Sequence, residues 1–134
     1  MDKLDSTKKE IPKFIVAGIL AVATDYFSYL ALINVIDFDL SKACSFILGS
    51  IVAFILNKFW TFESDKKTTA AIMPFIVLYS STFFVNVSLN HLSLAYVTDL
   101  KTIAFLIATS ASTVLNFIGM KFWVFKASNL KGSY

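Results

Sequence analysis

The sequence predicts an all-α integral membrane protein with four transmembrane helices, and three observations predict it. The first is composition. Of the 134 residues, 57% are hydrophobic and 16% aromatic, and the mean hydropathy is +0.71, beyond the range of ordinary soluble domains. The second is length: four apolar stretches each reach the roughly 20 residues that carry a helix across a hydrocarbon core of about 30 Å. The third is repetition. Lys58-Phe59-Trp60-Thr61-Phe62 closes one apolar segment and Lys121-Phe122-Trp123-Val124-Phe125 closes another, 63 positions later. A cation beside clustered aromatics marks the place where a helix leaves hydrocarbon for the headgroup layer.

Taken in order, residues 1–13 are polar and of mixed charge, a short tail that is flexible or lies as a surface helix before Pro12. The spans follow at about 14–36, 40–62, 71–97 and 102–125, within a transmembrane domain of residues 14–126, and 127–134 form a second tail. Ala21-Val22-Ala23 has the look of a signal-peptide cleavage site, but the apolar run continues to Ile36, too long for a signal core, so the first span is expected to be retained. The second span carries Ser45, Gly49, Ala53 and Asn57, a small or polar stripe whose four-residue spacing lets helix backbones approach closely. Phe75-Ile76-Val77 opens the third span as Phe14-Ile15-Val16 opens the first, at an offset of 61, and the fourth repeats the stripe as Ala108, Ser112, Asn116 and Met120. Each half is thus a helical hairpin. Because a hairpin crosses twice, the two copies are expected to share one orientation, as a parallel repeat.

Charge placement orients the spans. All twelve basic residues are lysines. Lys3, Lys8, Lys9 and Lys13 precede the first span, Lys58, Lys66 and Lys67 surround the middle loop, and Lys121, Lys126 and Lys131 follow the last, leaving only Lys42 and Lys101 by the other loops. The positive-inside rule then puts both termini and the middle loop in the cytoplasm. The outer loops, about 37–39 and 98–101, have no room for an extracellular domain, so function is expected among the helices. Cys44 is the single cysteine, which excludes an intrachain disulfide. No glycine-rich phosphate loop, metal-ligand cluster or nucleophile with paired carboxylates is present, so neither an enzyme nor a cofactor is expected. The lysines are accounted for by topology, so no nucleic-acid partner is expected either.

The residues able to carry chemistry are few. Asp25 lies eleven residues after Phe14, some 16 Å along a helix and near the bilayer centre on the predicted span. An aspartate there costs about 2.5 to 3.5 kcal/mol on the insertion scale, so it is expected to face the bundle or a wet cavity. It is either a functional group or one protonated or bonded locally to Thr24, Ser28 or Tyr29. Asn86, eleven residues after Phe75, lies at the matching depth of the second copy, with Asn90 one turn on, and Ser81 and Thr82 one turn before. Those are interhelical hydrogen-bonding groups on the plainer reading, and His91 is an interface residue rather than a proton relay. Lys58 and Lys121 are placed for a snorkelling ammonium to meet a lipid phosphate, with Trp60 and Trp123 as interface aromatics.

Three stretches together resemble the GtrA-like family of small four-span membrane proteins: Lys13-Phe14-Ile15-Val16-Ala17-Gly18 with Asp25, Phe54-Ile55-Leu56-Asn57 leading into the first closing motif, and Asn116-Phe117-Ile118-Gly119-Met120 leading into the second. The resemblance spans about residues 13–126. It implies translocation of an undecaprenyl-phosphate-linked sugar across the bacterial cytoplasmic membrane, for teichoic-acid or polysaccharide glycosylation by a separate membrane glycosyltransferase. Lys58, Lys121, Asn57 and Asn116 would collect the phosphate, and Asp25, Asn86 and Asn90 would offer a polar path to the sugar. The family's asparagine before the phenylalanine is kept at Asn116 and is Ala53 in the first copy, whereas the amide before the lysine is kept at Asn57 and is Met120 in the second. Four helices enclose little volume, so a homo-oligomer or hetero-complex is expected. Two other readings remain open: a proton-coupled exporter like the small multidrug transporters, and a non-transporting subunit of a glycosyltransferase.

Overall fold

The computed structural model describes residues 2–126, with side chains from Leu4 onward. The expected tail at 127–134, including Lys131, lies outside the described residues. Four long helices form: α1 over Asp2–Leu32, α2 over Phe38–Leu56, α3 over Thr68–Tyr96 and α4 over Lys101–Gly119. There is no strand among the described residues. All four helices are long and apolar enough to cross a membrane, so this is a multi-pass membrane protein.

α1 begins twelve residues before the predicted span and runs unbroken through Pro12. A proline inside a helix removes one backbone hydrogen bond, and the helix continues past it. At the other end α1 stops at Leu32, short of the predicted Ile36. Asp37 explains the restart. Its carboxylate accepts from the backbone N–H groups of Asp39 (3.1 Å) and Leu40 (3.3 Å), capping α2 and satisfying amides that would otherwise lack partners.

The chain divides into two compact units, Met1–Ser64 and Asp65–Tyr134. In the first, α1 packs on α2; in the second, α3 packs on α4. The first hairpin is seamed by small residues. Ser41, Ser45, Gly49 and Ala53 are the buried residues of α2, so the four-residue stripe is the contact face. Gly49 is required there: a Cβ would stand 2.8 Å from the Ala21 carbonyl oxygen and 3.0 Å from the Asp25 Cβ. In the second hairpin the buried stripe is Ala104, Ala108 and Ser112, facing Ala71, Phe75, Leu78 and Thr82 of α3. Large apolar side chains such as Ile19, Phe27, Phe84 and Phe105 point outward, as a lipid-facing surface demands.

Each hairpin closes in a way the periodicity did not predict. Past Leu56 and past Gly119 the α-helix opens into a single π-helical turn, Asn57–Thr61 in the first and Met120–Val124 in the second. The five-residue bonds are explicit: the Phe62 N–H donates to the Asn57 carbonyl (2.9 Å) and the Phe125 N–H to the Met120 carbonyl (2.8 Å). These turns are the two copies of the lysine and aromatic motif. Single π-turns are rare and concentrate at functional positions.

Candidate functional site at the two π-turns

A π-turn holds one residue more than an α-turn, which shifts the following side chains around the axis. In the first hairpin the result is that Asn57, Lys58 and Thr61 are buried while Phe59 and Trp60 stay exposed. Lys58 is therefore not extended toward headgroups as a snorkelling lysine would be. It is only 5% exposed, its Nζ donates to the Ser64 carbonyl at 3.3 Å, and it stands 4.4 Å from the centroid of the Phe59 ring. The loop is shaped to permit this. Glu63 has a positive φ of 44°, a reversal that brings the Ser64 N–H back onto the Lys58 carbonyl at 2.7 Å.

A second lysine completes each turn. Lys13 Nζ donates to the Trp60 carbonyl (3.4 Å), and Lys66 Nζ donates to the Trp123 carbonyl (3.3 Å). Carbonyls at a helix C-terminus lack intrahelical partners, and an ammonium satisfies them while balancing the helix dipole. In the sequence Lys66 was legible only as a topology charge, and Lys13 as that and as the first residue of the opening motif. Lys121 is half-buried, with its ammonium 5.9 Å from the Phe122 ring centroid.

The two turns differ in polarity. Asn57 and Thr61 are each 2% exposed, and both Asn57 Oδ1 and Thr61 Oγ1 are buried with no hydrogen-bond partner. An unmade bond of this kind costs roughly 1 to 3 kcal/mol. The equivalent residues in the second turn are Met120 and Val124, both apolar and fully buried. Polar capacity is thus left open in the first turn alone.

The remaining predicted residues fall elsewhere. Asn116 sits in α4 one turn before the second π-turn, where its Oδ1 accepts from Thr82 at 2.7 Å. Asn86 donates to Ser112 Oγ at 3.0 Å, and Asn90 is half-buried in α3. Asp25 is not at mid-length: it lies seven residues, roughly 10 Å, from the end of α1. Its partners are also not the local hydroxyls of α1. Both carboxylate oxygens accept from Lys42 Nζ at 3.1 Å, and Oδ1 accepts from Ser45 Oγ at 2.7 Å. Lys42 is the residue the sequence reading overlooked. The available signal was placement, since Asp25 and Lys42 lie on either side of one short hairpin connection.

Helical hairpins that cross a bilayer and end in paired lysines define a small multi-pass membrane protein with cationic helix ends. The chain matches the GtrA/DPMS transmembrane domain over residues 13–125 and belongs to that family. No solved structure matches it.

Proposed function

We propose that the protein moves an undecaprenyl-phosphate-linked sugar across the bacterial cytoplasmic membrane, supplying a separate glycosyltransferase that modifies teichoic acid or another wall polysaccharide. The observation that carries this reading is the lysine-bearing π-turn at the end of each hairpin. Each turn carries two lysines, Lys13 and Lys58 in one and Lys66 and Lys121 in the other. Charge placement along the sequence assigns these turns to the cytoplasmic side, where their lysines would attract a lipid phosphate. Lys58 and Lys121, with Asn57 and Asn116, are the groups we assign to phosphate, Lys58 exchanging its Ser64 carbonyl for the phosphate when the lipid binds. Beside Lys58 the open Thr61 hydroxyl can donate to a phosphate, whereas the open Asn57 Oδ1 is an acceptor, so Asn57 would serve through its amide N–H groups.

The chemistry asked of the protein is modest. The polyprenyl tail stays in lipid, and only the phosphate and sugar need shelter from hydrocarbon. No bond is made or broken, so no catalytic group is assigned. Family membership supports a role in sugar-lipid handling. The exporter reading needs a carboxylate open to a cationic drug, and Asp25 already holds the Lys42 ammonium.

Native mass spectrometry tests the proposal. The wild type is expected to bind undecaprenyl phosphate more tightly than phosphatidylglycerol, and Lys58→Ala with Lys121→Ala to lose that preference. Equal binding of both lipids by the wild type would reduce the lysines to topology anchors.

A further inference from the structure

Beside the Asp25–Lys42 pair lies a cleft of about 400 Å³ lined by Val22, Asp25, Tyr26, Tyr29, Phe38 and Lys42. The size falls within the roughly 300 to 1,000 Å³ of small-molecule sites. The cleft's Lys42 lies 16 residues before Lys58, and so roughly 24 Å from the lysine-bearing turn. Resting on the carrier reading above, we infer that this cleft holds the sugar ring of the lipid-linked substrate at the far end of its path, once the phosphate has left that turn, and that each chain has one such site, in the first hairpin.

Hydrogen-bonding capacity comes first. An ammonium has three donors, and Lys42 gives two to Asp25, leaving one. A carboxylate accepts about four hydrogen bonds, and Asp25 receives three, two from Lys42 and one from Ser45, leaving one. The Lys42 side chain is 58% exposed, so the pair is open to a ligand. A free donor beside a free acceptor matches neighbouring hydroxyls on a ring, each of which both donates and accepts. The pair carries no net charge, which suits a neutral sugar and offers a second anion nothing.

The aromatic walls supply the other half of carbohydrate recognition. Tyr29 meets Phe38 edge to face, with ring centroids 5.5 Å apart and planes at 84°. Lys42 Nζ stands 5.8 Å from the Tyr29 centroid, tying the rings to the ion pair. Flat, rigid rings offer large apolar area to the C–H face of a sugar, while the ion pair takes its hydroxyls and removes the cost of burying them unpaired.

The second hairpin lacks every one of these parts. Under the 61-residue offset Asp25, Tyr26 and Tyr29 become Asn86, Val87 and Asn90, and under the 63-residue offset Lys42 becomes Phe105. Asn86 is engaged by Ser112. The two halves thus share the lysine-bearing turns but not the cleft.

The test uses the full-length protein in lipid nanodiscs with undecaprenyl phosphate and a panel of its neutral monoglycosylated forms, carrying glucose, galactose or N-acetylglucosamine. At least one glycosylated form is expected to bind about tenfold more tightly than the bare lipid, at one per chain. Asp25→Asn combined with Lys42→Gln, and separately Tyr29→Leu, are expected to erase that difference while leaving bare-lipid affinity unchanged, which also shows the variants to be folded. A wild type that prefers bare undecaprenyl phosphate to phosphatidylglycerol but gains nothing from any sugar overturns the cleft and leaves the carrier reading standing. Variants that keep the sugar preference overturn it equally. A wild type that does not distinguish undecaprenyl phosphate from phosphatidylglycerol removes the carrier reading and the cleft with it.

Discussion

Lys58 and Ser64 clasp each other: the Lys58 ammonium donates to the Ser64 carbonyl and the Ser64 N–H donates to the Lys58 carbonyl. The lysine that the repeat marks as an interface anchor is therefore also a brace for the loop leaving the first hairpin. Lys58→Met removes the ammonium bond while keeping the length of the stem. We expect it to lower stability by about 1 to 2 kcal/mol, read as an earlier thermal transition in detergent. Lys58→Arg should recover most of that loss, because a guanidinium can still donate to Ser64.

Gly49 and Gly18 make a contrasting pair. A Cβ at Gly49 would run into the backbone of α1, whereas one at Gly18 would meet nothing within 4 Å. Gly49→Leu is expected to destabilise the first hairpin by about 1 to 3 kcal/mol through overpacking. Gly18→Ala should be neutral or slightly stabilising. Equal effects from the two substitutions would mean that α1 and α2 do not cross at Gly49.

The Thr82 and Asn116 bond joins α3 to α4 where the first hairpin has Ala21 and Ala53 at the equivalent positions. Removing both partners is therefore a change the fold already tolerates in its other half. A double-mutant cycle with Thr82→Ala and Asn116→Ala should give a coupling energy of about 0.6 to 1.7 kcal/mol. Additive single effects would show that the hydroxyl and amide do not meet.

The proposed orientation has its own check. In a Cys44→Ser background, Lys67→Cys at the start of α3 should be shielded from an impermeant thiol reagent added to intact cells, and Asp99→Cys should react. Both positions are exposed, so accessibility follows the side of the membrane. The reverse pattern would invert the topology and move the lysine-bearing turns to the outer face.

The four spans were legible in the sequence because bilayer thickness sets helix length and every backbone group in hydrocarbon must be paired within its own helix. The small-residue stripe was legible for a related reason: Ser45, Gly49 and Ala53 lie one turn apart on one face, and only that face lets α1 come close. Both are properties of a single helix. Predicted ends were less secure. The Leu32 stop of α1 and its extension back to Asp2 depended on capping by Asp37 and on polar turns that hydropathy does not count.

What the tertiary structure decided was everything that needs two segments at once. The motif around Lys58 and Lys121 was visible as a repeat, but a π-turn has no periodic signature in five residues, so the inward side of Lys58 and the unpaired oxygens of Asn57 and Thr61 were not. Asp25 was visible as a polar group in an apolar span, yet its partner depended on where α1 ends and how α2 is set against it, which brought Lys42 rather than Thr24 or Tyr29 to its carboxylate. The sequence by itself determined the lipid-crossing helices, because the solvent imposes them residue by residue. The pairing of Asp25 with Lys42 and of Lys58 with Ser64 came only from the packed hairpin, because such contacts depend on helix register and turn geometry that no single stretch of chain encodes.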